Sequence, residues 1–458
     1  MKQTETIAAI STAPGSSGIG IIRVSGEDAI EIVDKIFDSY KQVKLADVET
    51  HTAHFGCIKD GDQVIDEVLV LVMKDGKSFT GENTVEINCH GGMLILTKVL
   101  DLVIKAGARA AEPGEFTKRA FLNGKMDLSQ AEAVMDLITA KNDFAHTSAV
   151  KQLKGNVSEK IKELRAEIIY HIAFIESALD DPEHISLDGY SEKIKTTVEN
   201  EITEIEKLIN SFDNGRVARE GIKTVILGKP NAGKSSLLNL LLGEERAIVT
   251  EIEGTTRDTL EEYINLNGLS LNIVDTAGIR ESDDKVEQIG VEKAKDMAED
   301  ADLILYVVDG QKEIDENDKQ IIDIIKDKQA IVLINKTDMD TKVDIDEIKE
   351  LSGLDVILFS AKEGTGLDQL EDDIRKKFYE GKVNLNDQIY ITNARHKEAL
   401  DSAYKSLNNV MDSISKDMPE DFYSIDLMDA YEKLGLIIGE SVEDDLANEI
   451  FSKFCMGK

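Results

Sequence analysis

Basic residues are scarce in this chain. Its 458 residues hold 53 Lys and Arg against 89 Asp and Glu, a formal net charge of −36. That balance excludes a generally basic nucleic-acid surface, so any RNA contact must be a local patch or be shared with a more basic partner. Cysteine is also sparse: Cys57, Cys89 and Cys455 show no metal-ligand spacing and suggest a reducing cytosol. No run is long and apolar enough to span a bilayer, and Met1 to Thr6 lacks the apolar core of a signal peptide. These absences lead us to expect a soluble, cytoplasmic protein with no membrane and no DNA partner. With roughly 150 residues per domain as a guide, the chain should hold several domains.

What is present centres on Gly228-Lys229-Pro230-Asn231-Ala232-Gly233-Lys234-Ser235. An apolar run, Thr224 to Leu227, precedes it, and a helical one beginning at Ser236 follows. Strand, glycine-rich turn and helix are the context a phosphate-binding loop requires, whereas a bare pattern match could be an ordinary turn. Backbone N–H groups would surround a phosphate, helped by the helix N-terminus. Lys234 can reach the β- and γ-phosphates, and the Ser235 hydroxyl can ligate Mg²⁺. Asp275-Thr276-Ala277-Gly278 ends an alternating strand-like run; Asp275 suits a second Mg²⁺-holding carboxylate and the Gly278 N–H a γ-phosphate contact. Ala330 to Ile334 runs into Asn335-Lys336-Thr337-Asp338. The Asp338 carboxylate can accept from guanine N1–H and its amine. Adenine lacks that donor pair and would leave the charge unpaired. Ser360-Ala361-Lys362 resembles the loop that backs the guanine. Four ordered motifs at strand ends predict a GTPase domain.

The N-terminal segment reads as mixed α/β. Strands are expected at Ile7–Ile10, Gly20–Val24, Asp66–Met73 and Asn83–Cys89, helices around Asp28–Phe37 and over Met93–Ala106, and a glycine turn at His90-Gly91-Gly92. Arg23 and Glu86 fall inside apolar strands, where charge is costly without a partner or ligand; pairing with each other or lying on a solvated face is the alternative to ligand contact. From Asp127 to about Asn214 the spacing is helical, with one stripe of Leu153, Val157, Ile161, Leu164 and Ile168 and a turn at Asp180-Asp181-Pro182. His171 and His184 are read as structural. Helical spacing returns after about Gly381, so one bundle made from both helical blocks, with the GTPase domain inserted, is the simplest arrangement.

Several of these stretches carry a resemblance that covers nearly the whole chain. They are Gly20-Ile21-Ile22-Arg23, Phe79-Thr80-Gly81-Glu82, Pro113-Gly114-Glu115-Phe116, Arg119-Ala120-Phe121-Leu122-Asn123, Gly254-Thr255-Thr256-Arg257-Asp258 and the tail Phe454-Cys455-Met456-Gly457-Lys458. The sequence resembles the MnmE (TrmE) family of bacterial tRNA-modification GTPases. The resemblance implies a multidomain α/β and all-α fold. It comprises a folate-binding and dimerisation domain over 1–122, a helical domain over 123–216 and 382–458, and an inserted Ras-like P-loop GTPase domain over 217–381. It implies a homodimer that joins a flavoprotein, MnmG, in a heterotetramer, and that installs a carboxymethylaminomethyl group on C5 of the wobble uridine of certain tRNAs. A ribosome-assembly GTPase is the alternative, but the basic RNA-binding module such factors carry is not visible.

The resemblance also assigns residues. Asn231 to Ser236 (Asn231, Ala232, Gly233, Lys234, Ser235, Ser236), the first-switch residues Thr250, Glu251, Ile252, Glu253, Gly254, Thr255 and Thr256, and the motifs above would bind GTP. Ser235 and Thr256 would hold Mg²⁺. Asn231, Thr250, Ile252 (through its carbonyl) and Thr255 would hold K⁺. Arg23, Glu86, Lys125 and Lys458 would contact a reduced folate, as 5-formyl- or 5,10-methylene-tetrahydrofolate. Ile279 occupies the place where Ras-like GTPases carry a water-orienting Gln, and its side chain cannot hydrogen-bond water. The resemblance gives that task to Glu287, which among Glu281, Asp283 and Asp284 otherwise reads as a solvated charge. Arg257 and Arg280 could serve as arginine fingers, or simply pair with acids. Cys455 is a reactive thiol or a buried one.

Overall fold

The structure is a computed structural model. It describes residues 5–243, 262–266, 269–274, 291–378, 389–440, 444–452, 454 and 457. The chain divides into two compact units: Met1–Ile138 with Val150–Glu199 and Ser402–Lys458, and Thr139–Ala149 with Asn200–Asp401.

The first unit contains a seven-stranded sheet built from β1 (Ile7–Ile10), β2 (Ser17–Ser25), β3 (Phe37–Ser39), β4 (Thr52–Asp60), β5 (Gln63–Met73), β6 (Thr84–Gly91) and β7 (Arg109–Ala110). Its order is β3-β4-β5-β6-β2-β1-β7, and among these pairs only β1 and β7 run parallel. Residues alternate across it as period two requires: Val68, Val70 and Val72 are buried, Glu67 and Leu69 exposed. The helices Ala29–Asp34 and Met93–Ala106 supply Ile32, Val33, Leu96, Val99 and Val103 to the buried face.

Three sequence expectations shift here. The first helix is shorter than expected because Phe37 leaves it to pair with Ile58 in β3. His90 and Gly91 continue β6 instead of turning, because Gly91 pairs with Ser17 across an irregularity in β2. The long apolar stripe begins not at Leu153 but after it. One helix ends at Leu153, and Gly155, with φ of 98°, starts the next, Asn156–Asp180. Glycine tolerates that left-handed backbone at little steric cost, so the register restarts there.

The helical part of this unit joins distant segments. Helix Asn156–Asp180 packs on helix Glu420–Ile438. Arg165 fixes the pair: its Nε donates to the Tyr431 carbonyl at 3.1 Å, its guanidinium lies over the Tyr431 ring, and it forms an ion pair with Glu440. A bundle core therefore needs both chain segments, as expected. No helix among the described residues is long and apolar enough to cross a membrane.

The second unit holds a six-stranded sheet: β8 (Ile222–Gly228), β9 (Glu262–Leu266), β10 (Leu269–Ile273), β11 (Leu303–Asp309), β12 (Ala330–Asn335) and β13 (Asp355–Leu358). The order is β13-β12-β11-β8-β10-β9, parallel throughout except for the β9–β10 hairpin. Strands covered on both faces read as continuous apolar runs, as in Ala330–Ile334. Ile226, Leu305 and Leu333 pack with Leu237, Leu241 and Ile374 on one face. Leu227, Tyr306 and Val332 pack with Ile321, Ile325 and Ile348 on the other. Strand order reverses direction around β8, and ligands of such sheets bind beyond the carboxyl ends at that switch point.

Candidate functional site

The loop after β8 occupies that switch point. Helix Lys234–Leu242 begins directly behind it, so its first N–H groups have no intrahelical acceptors. The loop curls because Asn231 and Gly233 take positive φ, 64° and 104°. At Gly233 the backbone also passes so close to Asn335 that a Cβ would lie 2.0 Å from its Nδ2. Lys234 is buried, and its ammonium donates to the carbonyls of Gly228 at 2.8 Å and Lys229 at 3.0 Å. Burial pushes its pKa down. A desolvated ammonium beside the unpaired N–H groups of a helix N-terminus favours an anion such as phosphate.

The ends of β12 and β13 lie at the same edge of the sheet. Asn335 is buried; its Nδ2 donates to the Ala232 carbonyl at 2.8 Å, and its Oδ1 accepts from the Ala361 N–H at 3.0 Å. One amide thereby pins the phosphate loop and the Ser360-Ala361-Lys362 loop to one strand end. Lys336, with φ of 66°, donates to the Asn231 carbonyl and to Asp309, each at 2.8 Å. The buried Ser360 hydroxyl donates to Asp338 Oδ1 at 2.8 Å, orienting a carboxylate that is otherwise exposed. Lys362 and Ser236 are exposed, and Ser235 is half-buried in the first helical turn.

In the first unit Arg23 and Glu86 face each other across β2 and β6. They form an ion pair, with Arg23 Nε and one terminal nitrogen each 2.9 Å from Glu86 Oε1. Both are about 15% exposed, so each needs the other's charge. The Arg23 guanidinium also lies 5.8 Å and 5.7 Å from the Phe79 and Phe116 ring centres. The C-terminal tail reaches this place: the Gly457 carbonyl accepts from Ser11 Oγ at 3.0 Å and from Arg23 at 3.4 Å. Lys125 donates to the Gly76 carbonyl at 3.2 Å, and its stem runs past Gly81.

The structure thus gathers Asn231, Ala232, Gly233, Lys234, Asn335, Lys336 and Ala361 around one loop, and Arg23 with Glu86 in a separate site. Thr250 to Thr256, Asp275 to Gly278, Glu287 and Lys458 lie outside the described residues, as do Arg257, Arg280 and Cys455. Among the described residues no group of three or more His, Cys, Asp or Glu could hold a metal ion. Sequence reasoning missed the bridging role of Asn335, although its place in the Asn335–Asp338 motif marked it, and missed the carboxylates behind Lys229 altogether.

Comparison with known proteins agrees with this architecture. Residues 6–125 match the family described as GTP-binding protein TrmE N-terminus, and residues 128–455 match the MnmE helical domain. The protein named tRNA modification GTPase MnmE from Lachnoclostridium phytofermentans is 55% identical over 457 residues, covering 100% of both chains. Those of the same name from Acetivibrio thermocellus and Clostridioides difficile are 50% and 47% identical, covering 100% and 99% of each chain. Among solved structures, Aquifex aeolicus Era bound to GDP and aluminium fluoride is 29% identical across 42% of this chain and 67% of that one, with a TM-score of 0.26. With full-length identity of that order and a family match over most of its residues, the chain belongs to the MnmE family.

Proposed function

We propose that this protein hydrolyses GTP and, with a flavoprotein partner of the MnmG type, adds a carboxymethylaminomethyl group to C5 of the wobble uridine of certain tRNAs. The single observation that carries the reading is the meeting of tail and sheet. The Gly457 carbonyl, one residue before Lys458, is held by Ser11 and Arg23 beside the Arg23–Glu86 pair. A GTPase switch alone has no use for such a site in another unit of the chain.

The donor set there fits a reduced folate. Glu86 spends Oε1 on Arg23, which leaves Oε2 to accept from a pterin's amino and ring N–H groups. Arg23 is a cation suited to the ligand's carboxylates, and Lys125 and Lys458, which the resemblance adds, would join it. Bound there, 5-formyl- or 5,10-methylene-tetrahydrofolate would supply the one-carbon unit.

In the GTPase domain, Lys234 and the loop N–H groups would hold the phosphates, and Asp338, aligned by Ser360, would read guanine. Ser235 and Thr256 would hold Mg²⁺, with Asp275 behind them, and Glu287 would orient the attacking water. Asn231 fits a K⁺ ligand: its backbone carbonyl is taken by Lys336, so the exposed side-chain amide is the group left to face a cation. Thr250, Ile252 and Thr255 would complete that ring. The domain limits given above, a homodimer, and a heterotetramer with the flavoprotein belong to the same reading. The acidic surface makes a more basic partner the natural source of tRNA affinity.

Calorimetry with 5-formyltetrahydrofolate tests the site. The unmutated chain should bind it, and Glu86→Ala should lose most of the affinity. Unchanged binding by the variant would remove Glu86 from the site, and no binding by the unmutated chain would remove the folate.

A further inference from the structure

Lys229, the second residue of the phosphate loop, turns its side chain to the start of helix Glu316–Ile325. Its ammonium lies 2.5 Å from both Asp318 and Asp315. Asp315 is the N-cap of helix Glu316–Ile325 and is exposed. Asp318 is different: only 4% of it is exposed. A carboxylate that deep requires donors, and it has three. Tyr306, fully buried on β11, donates its hydroxyl to Oδ1 at 2.7 Å. Oδ2 accepts from Lys229 Nζ at 2.5 Å and from the Asp315 N–H at 3.0 Å. The Asp315 N–H bond is one half of a capping box, in which Asp315 accepts in turn from the Asp318 N–H, but capping alone does not account for the bonds from Tyr306 and Lys229.

The same lysine holds the loop from its other end. The Lys229 carbonyl accepts from Lys234 Nζ at 3.0 Å and from the Ala232 N–H at 3.2 Å. Fixing the Lys229 side chain therefore fixes the peptide that both closes the loop's turn and anchors the phosphate-binding ammonium. Hydrogen bonds at both ends of Lys229, its ammonium to Asp318 and Tyr306 beyond it and its carbonyl to Lys234, link the core to the loop through that one residue.

We propose that Asp318 is a positioning residue for nucleotide binding: acting through Lys229, it sets the geometry of the phosphate loop and hence its grip on the β-phosphate. This rests on the GTP-binding role given to the loop above. The second effect of Asp318 is to occupy Lys229, so that Lys234 is the one loop ammonium presented to phosphate.

The test is a double-substitution cycle read by nucleotide affinity. Asp318→Asn and Lys229→Met should each weaken GDP and GTP binding by about tenfold, the size expected for a buried charge-assisted hydrogen bond. GMP, which has no β-phosphate, should move by less than about twofold, whereas general damage to the domain would weaken all three nucleotides alike. The double variant should bind no worse than either single one, since both changes cut the same link. Lys229→Arg, which keeps the ion pair, should retain affinity. Lys229 is about one-third exposed, so its replacement serves even if Asp318→Asn fails to fold. Normal GDP affinity in Lys229→Met, additive losses in the double variant, or equal losses for GMP would each overturn the proposal. Failure of the unmutated chain to bind GTP would instead refute the GTPase reading itself.

Discussion

Removing the Asn335 amide should loosen the GTPase site in a way that can be sized in advance. Asn335→Ala deletes two hydrogen bonds, to the Ala232 carbonyl and from the Ala361 N–H, at 2.8 and 3.0 Å. Each is worth about 1 kcal/mol net, and buried partners left unpaired add to that, so the total is about 2–4 kcal/mol. The bonds join three loops that meet around the nucleotide, so the loss should divide between folding and binding. If half falls on binding, GTP affinity drops about 5- to 30-fold, since 1.4 kcal/mol is a factor of ten. Asn335→Asp should do at least as much harm. It keeps an acceptor for Ala361 but turns a second acceptor against the Ala232 carbonyl, and buries a negative charge there. Urea denaturation of the apo protein and GTP titration of each variant separate the two shares. Stability within about 0.5 kcal/mol of the unmutated protein together with unchanged affinity would refute the bridging role, because surface changes stay within that range. So would Asn335→Asp behaving better than Asn335→Ala.

Other expectations follow from the proposed function and from the structure. GTP hydrolysis should run much faster in KCl than in NaCl at equal ionic strength, and Asn231→Ala should lose the stimulation while still binding nucleotide; equal rates in the two salts would shift attention to Arg257 and Arg280. Glu287→Ala should bind GTP normally but hydrolyse it about 10²–10⁴-fold more slowly in single-turnover assays, the usual cost of a misplaced acid–base group. His171 is buried with Nδ1 2.6 Å from the Tyr190 hydroxyl, and burial, reinforced by the Lys193 charge, holds its pKa below the ordinary value. The unfolded chain therefore takes up that proton first as pH falls through about 6.5, so this residue's contribution is present above that pH and lost below it. Denaturant titrations at pH 7.5 and 5.5 should show His171→Gln losing less stability on acidification than the unmutated protein.

How much of this was readable in the sequence depends on range. The phosphate loop was legible because its strand, turn and helix are contiguous, and each states its geometry locally in Gly228, Gly233 and the apolar runs. The Asn335–Asp338 motif was legible for the same reason. Gly155 also carried a local signal, a glycine closing one helix before the next, yet an uninterrupted apolar spacing masked it. Arg23 and Glu86 are 63 positions apart, and period-two patterning cannot say which strands pair or in what register. Hence pairing and ligand contact stayed open until β2 and β6 were seen side by side. Asp318 is farther still, 89 positions from Lys229, and in sequence it is one acid among Asp315, Glu316 and Asp318 at a helix start. Only the packing of that helix on β11 buries one of the three and turns it toward the loop.

The central claim, that GTP hydrolysis here serves modification of the wobble uridine, is tested most directly by nucleoside analysis of tRNA from a strain lacking this protein. The account predicts that the C5 modification of the wobble uridine disappears. The unmutated gene should restore it, and genes carrying Glu86→Ala or Glu287→Ala should not. Wobble uridines that stay fully modified in the deletion strain would contradict it.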